Sequence, residues 1–210
     1  IPDSSATLEA LRQGAAAHQL CFSSEELHPA PYIPLPGDWE AYLAGIEKKQ
    51  RHEIRRKMRR AEENAPNLKW HVTQNEDQLQ ADSETFLQLM AFDAEKKRFL
   101  TPAMRAQMLS SMRWALDENM LFLAFLDIDQ QPAAAYYCFD YGNALWVYNS
   151  GFNPVFMEYS PGWVLLGYLL RWANENRRAV FDFMRGGEEY KYRFGAIKRS
   201  VMRVILHRNI

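Results

Sequence analysis

The stretch LFLAFLDIDQQPAAAYYCFDYGNALWVYNS, residues 121–150, decides the fold class. Three apolar runs, Leu121 to Ile128, Ala133 to Tyr141 and Ala144 to Ser150, are separated only by Asp-Gln-Gln-Pro and Tyr-Gly-Asn. Spacers this short and this rich in turn-forming residues fold the chain back on itself, so the runs read as an antiparallel meander. Beyond them, Tyr159-Ser160-Pro161-Gly162 opens a helix reaching about Asn176, and Ala179 to Phe183 is a short strand. Strand, helix and strand at that spacing make a βαβ crossover. Meander plus crossover predicts an α/β fold whose mixed, mostly antiparallel sheet carries helices on both faces.

Working outward toward the N-terminus, Leu68 to Thr73 alternates Leu, Trp and Val with polar residues, the period of a half-buried strand. Two helices separate it from the meander. One covers about Ser83 to Phe99, with Phe86, Leu87, Met90 and Ala94 on its apolar side; the other covers Pro102 to Asn119, with Met108, Met112 and Leu116. Asp38 caps one or two further helices over 38–63, striped by Trp39, Leu43, Ile46, Ile54, Met58 and Ala61. Toward the C-terminus, Glu188 to Phe194 forms a helical turn and Ser200 to His207 a last strand. The segment His28 to Gly37 holds four prolines, which fix φ and remove donors, so it reads as an extended connector. Residues 1–36 are therefore an N-terminal arm with its connector, and 37–210 the main domain.

Lys plus Arg (25) nearly cancels Asp plus Glu (26), which excludes a surface given over wholly to nucleic acid or anionic membrane. Cys21 and Cys138 lie far apart in apolar surroundings, as reduced thiols rather than a disulfide framework. The longest apolar stretch, Trp163 to Ala173, is interrupted by Gly167 and Arg171 and is too short for a membrane span. The reading is a soluble, cytoplasmic protein. The five histidines are scattered without ligand spacing, so no metal is expected. There is no glycine-rich P-loop, GxSxG elbow or paired CxxC.

Several motifs taken together resemble a known family. They are Pro31-Tyr32-Ile33-Pro34-Leu35-Pro36 before Trp39-Glu40-Ala41-Tyr42-Leu43; the basic helix Arg51-His52-Glu53-Ile54-Arg55-Arg56-Lys57; and Tyr148-Asn149-Ser150-Gly151-Phe152-Asn153-Pro154. Ser160-Pro161-Gly162 and Phe181-Asp182-Phe183-Met184-Arg185-Gly186, running into Glu188 and Tyr190-Lys191, complete the set. This pattern, over residues 31–195, resembles the GNAT superfamily of acyltransferases, in its cellulose-biosynthesis-type (CelD-like) branch related to the Fem peptidyltransferases. Two positions depart from it: Gly187 stands where an Asp is usual, and Glu189 where a Pro is usual.

The resemblance implies a GNAT fold, with residues 1–36 as the end of a preceding GNAT-like half, and acetyl-CoA as acyl donor. In such a site the donor's pantetheine lies beside the splayed end of the fourth strand, at Ser150 and Gly151. Its pyrophosphate rests on amides at the next helix N-terminus, here Tyr159, Ser160, Pro161, Gly162 and Trp163, where unpaired N–H groups and a partial positive charge favour phosphate. Pro161 needs no hydrogen bond there and Gly162 lacks a Cβ to hold a ligand away, although the same residues also read as an ordinary helix start.

Acyl transfer needs a base for the acceptor, a polariser of the thioester carbonyl and an acid for the leaving thiolate. Asp182 or Glu188 is the base, Tyr190 the acid and an amide near Ser150 and Gly151 the polariser. Asp182, Arg185, Glu188 and Lys191 read equally well as a structural charge network. Substrate contacts are expected from Arg55, Arg56, Tyr137, Tyr148, Arg185 and Lys191; core packing is the competing reading of Tyr137. The run Lys48 to Arg60 holds eight Lys or Arg, and its competing meanings are a solvated helix face or a seat for sugar phosphate, acidic glycan or tRNA phosphates. The leading function is transfer of an acetyl or other acyl group from acyl-CoA to an amine or hydroxyl of a sugar or envelope polysaccharide precursor. The partners are that small-molecule or glycan acceptor and the acyl-CoA, with nucleic acid disfavoured. The alternatives are a Fem-like aminoacyl-tRNA-dependent transferase and a catalytically silent GNAT-like scaffold module.

Overall fold

The computed structural model describes residues 1–208, so the last two positions of the expected 37–210 domain lie outside the described residues. The chain divides into two compact units: a smaller one from 1–33 and 182–210, and a larger one from 34–181.

The larger unit begins with helices α2 (Trp39–Gly45) and α3 (Lys48–Asn64), the strand β3 (Lys69–Val72) and helices α4 (Glu76–Met90), α5 (Ala94–Phe99) and α6 (Pro102–Asp117). The meander β4 (Leu121–Ile128), β5 (Gln131–Tyr141) and β6 (Ala144–Phe152) follows, then a 3-10 stretch Pro154–Tyr159, helix α7 (Pro161–Glu175) and β7 (Val180–Asp182). The strands are ordered β7-β6-β5-β4-β3, and the registers of β3 with β4, β4 with β5 and β5 with β6 are antiparallel. β7 starts beside the start of β6, tied by Ala179 N–H to Asn143 O at 2.9 Å. The sheet is thus mixed, with the βαβ crossover expected from the sequence.

Strand alternation divides the core. Leu123, Phe125, Ala135 and Tyr137 point to one face and pack with Phe86, Leu87, Met90, Met108 and Met112 of α4 and α6. On the other face Phe122 meets Trp172 of α7 at 4.3 Å and the Tyr136 hydroxyl donates to Gly162 O at 3.3 Å. The closest approach is at Gly151: a Cβ there would overlap the backbone of Leu89 and Met90 at the end of α4. Only glycine lets the strand lie against the helix main chain. At Gly167 the corresponding direction meets Met58 Sδ at 2.7 Å, the far end of a flexible side chain.

The smaller unit holds α1 (Ala6–Ala17), β1 (Leu20–Pro29), β2 (Tyr32–Pro34), which ends in the larger unit, α8 (Glu189–Arg193) and β8 (Ser200–Arg208). β1 and β8 form an antiparallel ribbon from Leu20 opposite Arg208 to Pro29 opposite Ser200. The sequence marks residues 1–36 only as an arm and connector, without β1. Most of β1 is exposed and polar, so no period-two pattern marks it, and its partner lies some 180 residues away.

The expected helix over 83–99 is two helices. It starts earlier, where Asn75 accepts from Gln78 N–H, and it stops where Asp93 Oδ1 accepts the Glu95 and Lys96 amides at 2.9 Å each, starting α5 afresh. Those amides hold the Asp93 carboxyl below its ordinary range.

On β3, His71 Nδ1 lies 3.0 Å from Asp127 Oδ2 and its ring stacks on Phe125 at 5.2 Å. The hydrogen bond to Asp127 raises the His71 pKa against the opposing effect of burial. A raised folded-state pKa stabilises fully below the unfolded value of about 6.5, and the contribution fades as pH climbs through the folded value. Thermal unfolding followed from pH 6 to pH 9 is expected to show this loss in the parent chain and not in His71→Gln. Gly151→Ala, which must displace main chain, is expected to cost about 1–3 kcal/mol, whereas Gly167→Ala, which displaces only the Met58 sulfur and gains helix propensity, is expected to stay within about 1 kcal/mol. Denaturant titration of the two variants checks the contrast.

Candidate functional site

In the larger unit the candidate residues gather around the end of β6 and the start of α7. The pairing of β5 with β6 shifts between Tyr137 and Cys138: Tyr137 faces Asn149, and Cys138 faces Val147, so Tyr148 is an extra residue, a bulge. It leaves the Tyr148 ring about one-third exposed, edge-on to Tyr137 at 5.3 Å. β7 spans three residues against nine in β6, and the two strands start together, so β7 stops before the far part of β6.

At the far end of β6 both backbone groups of Ser150 are occupied. Its N–H donates to Asn149 Oδ1 at 2.8 Å, and its carbonyl accepts from Lys96 Nζ on α5 at 2.5 Å. The Ser150 amide is therefore not presented to a ligand carbonyl, and Gly151 faces the α4 main chain.

The start of α7 is built on a left-handed Ser160, φ 53°. Ser160 N–H donates to Met157 O, Pro161 has no N–H, and the Trp163 and Val164 N–H groups both turn back to Ser160 O at 3.0 Å. The expected cradle of amides over Tyr159 to Trp163 narrows to Gly162 and the positive helix end. The side-chain direction of Gly162 meets only the Phe152 ring, at 3.6 Å. Lys57 Nζ lies 4.0 Å above the Trp163 ring beside this turn and pairs with Glu53 at 3.3 Å.

Tyr137, put forward above as a substrate contact, is fully buried. Its hydroxyl donates to Ser111 Oγ at 3.1 Å, its ring packs on Phe86, and desolvation pushes its pKa up to about 12. It is a packing residue, the competing reading given above; alternation along β5 alone does not reveal which face α4 and α6 cover. Arg55 and Arg56 are both exposed on α3; Arg55 pairs with Glu40, and Arg56 has no carboxylate partner among the described residues.

The remaining candidates belong to the smaller unit. Asp182 is 1% exposed; Oδ1 accepts from Met184 N–H at 2.8 Å and Oδ2 from Arg199 Nη2 at 2.6 Å. Arg199 Nε donates to Ala30 O at 3.1 Å, and its guanidinium lies over the Tyr32 ring. Lys191 is also buried: Nζ donates to Gly186 O at 2.9 Å and Arg185 O at 3.2 Å and pairs with Glu188 Oε2 at 2.8 Å. The ammonium thus fastens the 183–188 turn, in which Met184 and Gly186 have positive φ, and is not presented to a substrate. Arg185 is exposed, the Glu188 side chain is more than half exposed, and Tyr190 is half-buried against Phe183. Arg199 escaped sequence reading because nothing local connects it with a carboxylate 17 positions earlier.

A family model for the acetyltransferase (GNAT) domain matches residues 48–192. The chain belongs to that family. Its fold agrees with solved structures at low identity: a conserved protein of unknown function from Bacteroides thetaiotaomicron (TM-score 0.67, 10% identity, 97% of this chain and 67% of that one) and FemX (0.67, 11%, 95% and 68%). L-PGS from Bacillus licheniformis is also similar (0.56, 12%, 89% and 62%). The chain spans about two thirds of the length of these structures. No curated protein matches it in sequence. Among the described residues no helix is long and apolar enough to cross a membrane, and no group of His, Cys, Asp and Glu is arranged to hold a metal ion.

The Asp182–Arg199 pair gives a quantitative expectation. Arg199→Ala leaves a buried carboxylate without its cation and is expected to cost about 3 kcal/mol or more. Asp182→Asn in that background is expected to recover part of the loss; a double-mutant cycle by urea unfolding measures it.

Proposed function

We propose that this GNAT domain moves an acetyl group from acetyl-CoA to an amine or hydroxyl of a sugar or cell-envelope polysaccharide precursor, in the cytoplasm, as a member of the CelD-like branch. The observation that carries the donor assignment is the turn at the start of α7: Gly162 has no Cβ and only the Phe152 ring, at 3.6 Å, lies in its side-chain direction, Pro161 asks for no acceptor, and Lys57 lies over the neighbouring Trp163. A phosphate suits that helix end. When bound, the donor supplies an activated acyl thioester.

The proton chemistry is assigned to the chain's own residues. Asp182 has both oxygens committed to Arg199 and the Met184 amide, so it acts as a fixed anchor for the turn that follows β7. Glu188, more than half exposed, takes the proton of the acceptor. Tyr190 holds a proton for the departing thiolate. Tyr148, given its outward reach by the bulge, is assigned to acceptor contact within the larger unit, and Arg185 within the smaller.

A second reading, transfer from an aminoacyl-tRNA, is favoured by the exposed cations Lys48, Lys49, Arg56 and Arg60 on α3. Calorimetry separates it from the first. Saturable heat with acetyl-CoA, weakened by Gly162→Val, is expected; silence with CoA and acetyl-CoA would leave the tRNA-dependent and non-catalytic readings. With a panel of amino sugars as acceptors, Glu188→Gln and Tyr190→Phe are each expected to slow release of free CoA thiol by about 10²-fold or more while donor binding persists. Unchanged turnover in both variants removes these two assignments.

A further inference from the structure

A groove of 790 Å³ runs between α2, α3 and the last turns of α7, with Trp39, Lys49, Arg56, Glu53 and Arg171 among its walls. Its charges are unevenly committed. Of its carboxylates, Glu40 pairs with Arg55, Glu53 with Lys57 at 3.3 Å, and Glu62 accepts from the Tyr168 hydroxyl at 3.0 Å. Lys49, Arg56 and Arg171 have no carboxylate partner among the described residues; Arg171 lies over the Trp39 ring, 5.3 Å from its centre, which fixes its guanidinium without neutralising it. With five cations (Lys49, Arg55, Arg56, Arg59 and Arg171) against three carboxylates (Glu40, Glu53 and Glu62), the concave wall carries an excess of positive charge and draws an anion. A phosphate, with several oxygens and up to two charges, matches two guanidinium forks and an ammonium better than one carboxylate does.

The groove does not end at Arg171. That residue and Glu62 are also walls of a neighbouring hollow of 330 Å³ lined by Trp70, Tyr168 and Trp172. Trp70 is about one-third exposed on the sheet's edge strand, and its ring is 6.0 Å from that of Tyr168. Tryptophan and tyrosine faces accept the CH face of a sugar or the π face of a base. The geometry points to a two-part site: Lys49, Arg56 and Arg171 hold the phosphate of a small ligand, and Trp70 with Tyr168 holds the sugar or base ring attached to it. All of these residues belong to the larger unit, and none is needed for the donor. The site rests on the transferase reading only for its role as an acceptor pocket, and probes without an acyl group test it separately.

The experiment is calorimetry on the whole chain with inorganic pyrophosphate, glucose 1-phosphate and adenosine 5′-diphosphate, against the parent, Lys49→Ala/Arg56→Ala and Trp70→Ala. Circular dichroism and thermal unfolding check that each variant is folded. Pyrophosphate is expected to bind the parent saturably and to bind the double variant at least about tenfold more weakly. Glucose 1-phosphate or the nucleotide is expected to bind about tenfold tighter than pyrophosphate and to lose that advantage in Trp70→Ala. Which of the two does so tells a sugar phosphate from a nucleotide. Absence of saturable phosphate binding, indifference to the double variant, or a ring advantage that survives Trp70→Ala each overturns the assignment. So does tight, steeply salt-dependent binding of tRNA with none of the small phosphates, which would make the groove part of a nucleic-acid surface.

Discussion

Main-chain contact between β6 and the end of α4 is the constraint on which the larger unit depends. Gly151 has no side chain to hold the two apart, so the end of the meander is pinned to the helix layer on one face of the sheet. Lys96 of α5 adds a bond to Ser150 O, and Asn149 satisfies the Ser150 amide from its own side chain. With the strand held there, the extra residue at Tyr148 is taken up as a bulge. The chain then enters α7 through the left-handed Ser160. The helix start that is assigned to the donor is therefore aimed by a glycine ten residues earlier.

The smaller unit solves a different problem, that of holding an irregular turn in place. Two buried charges do it, Asp182 through Arg199 and Lys191 through the carbonyls of Arg185 and Gly186. Buried charge is costly unless satisfied, and here each charged group is met by hydrogen bonds on several sides. Glu188 lies at the margin of this network, paired with Lys191, and Tyr190 packs edge-on against Phe183.

Much of the fold was legible in the sequence, and particular residues show why. The runs at 121–128, 133–141 and 144–150 became strands within two residues of their expected ends, because alternation and tight turns are local signals. The ribbon of β1 with β8 was not legible, since an exposed polar strand is made by a partner far along the chain. The division into units was hidden for the same reason. At the site, sequence reading found the start of α7 and the 182–191 turn but not the roles inside them. For Tyr137 it leaves ligand contact or core packing open, and for Lys191 ligand contact or a structural charge network; Ser111 and three backbone carbonyls engage their polar tips. Burial of a polar tip depends on long-range packing that no short motif encodes.

The central claim is that the far end of β6 and the first turn of α7 together receive an acyl-CoA. Amide hydrogen exchange with and without saturating acetyl-CoA tests it most directly. The account predicts slowed exchange at Phe152 and across Gly162 to Val164, with the α1 amides unchanged. Exchange in that segment that is indifferent to acetyl-CoA, at concentrations where CoA-dependent enzymes are saturated, would contradict it.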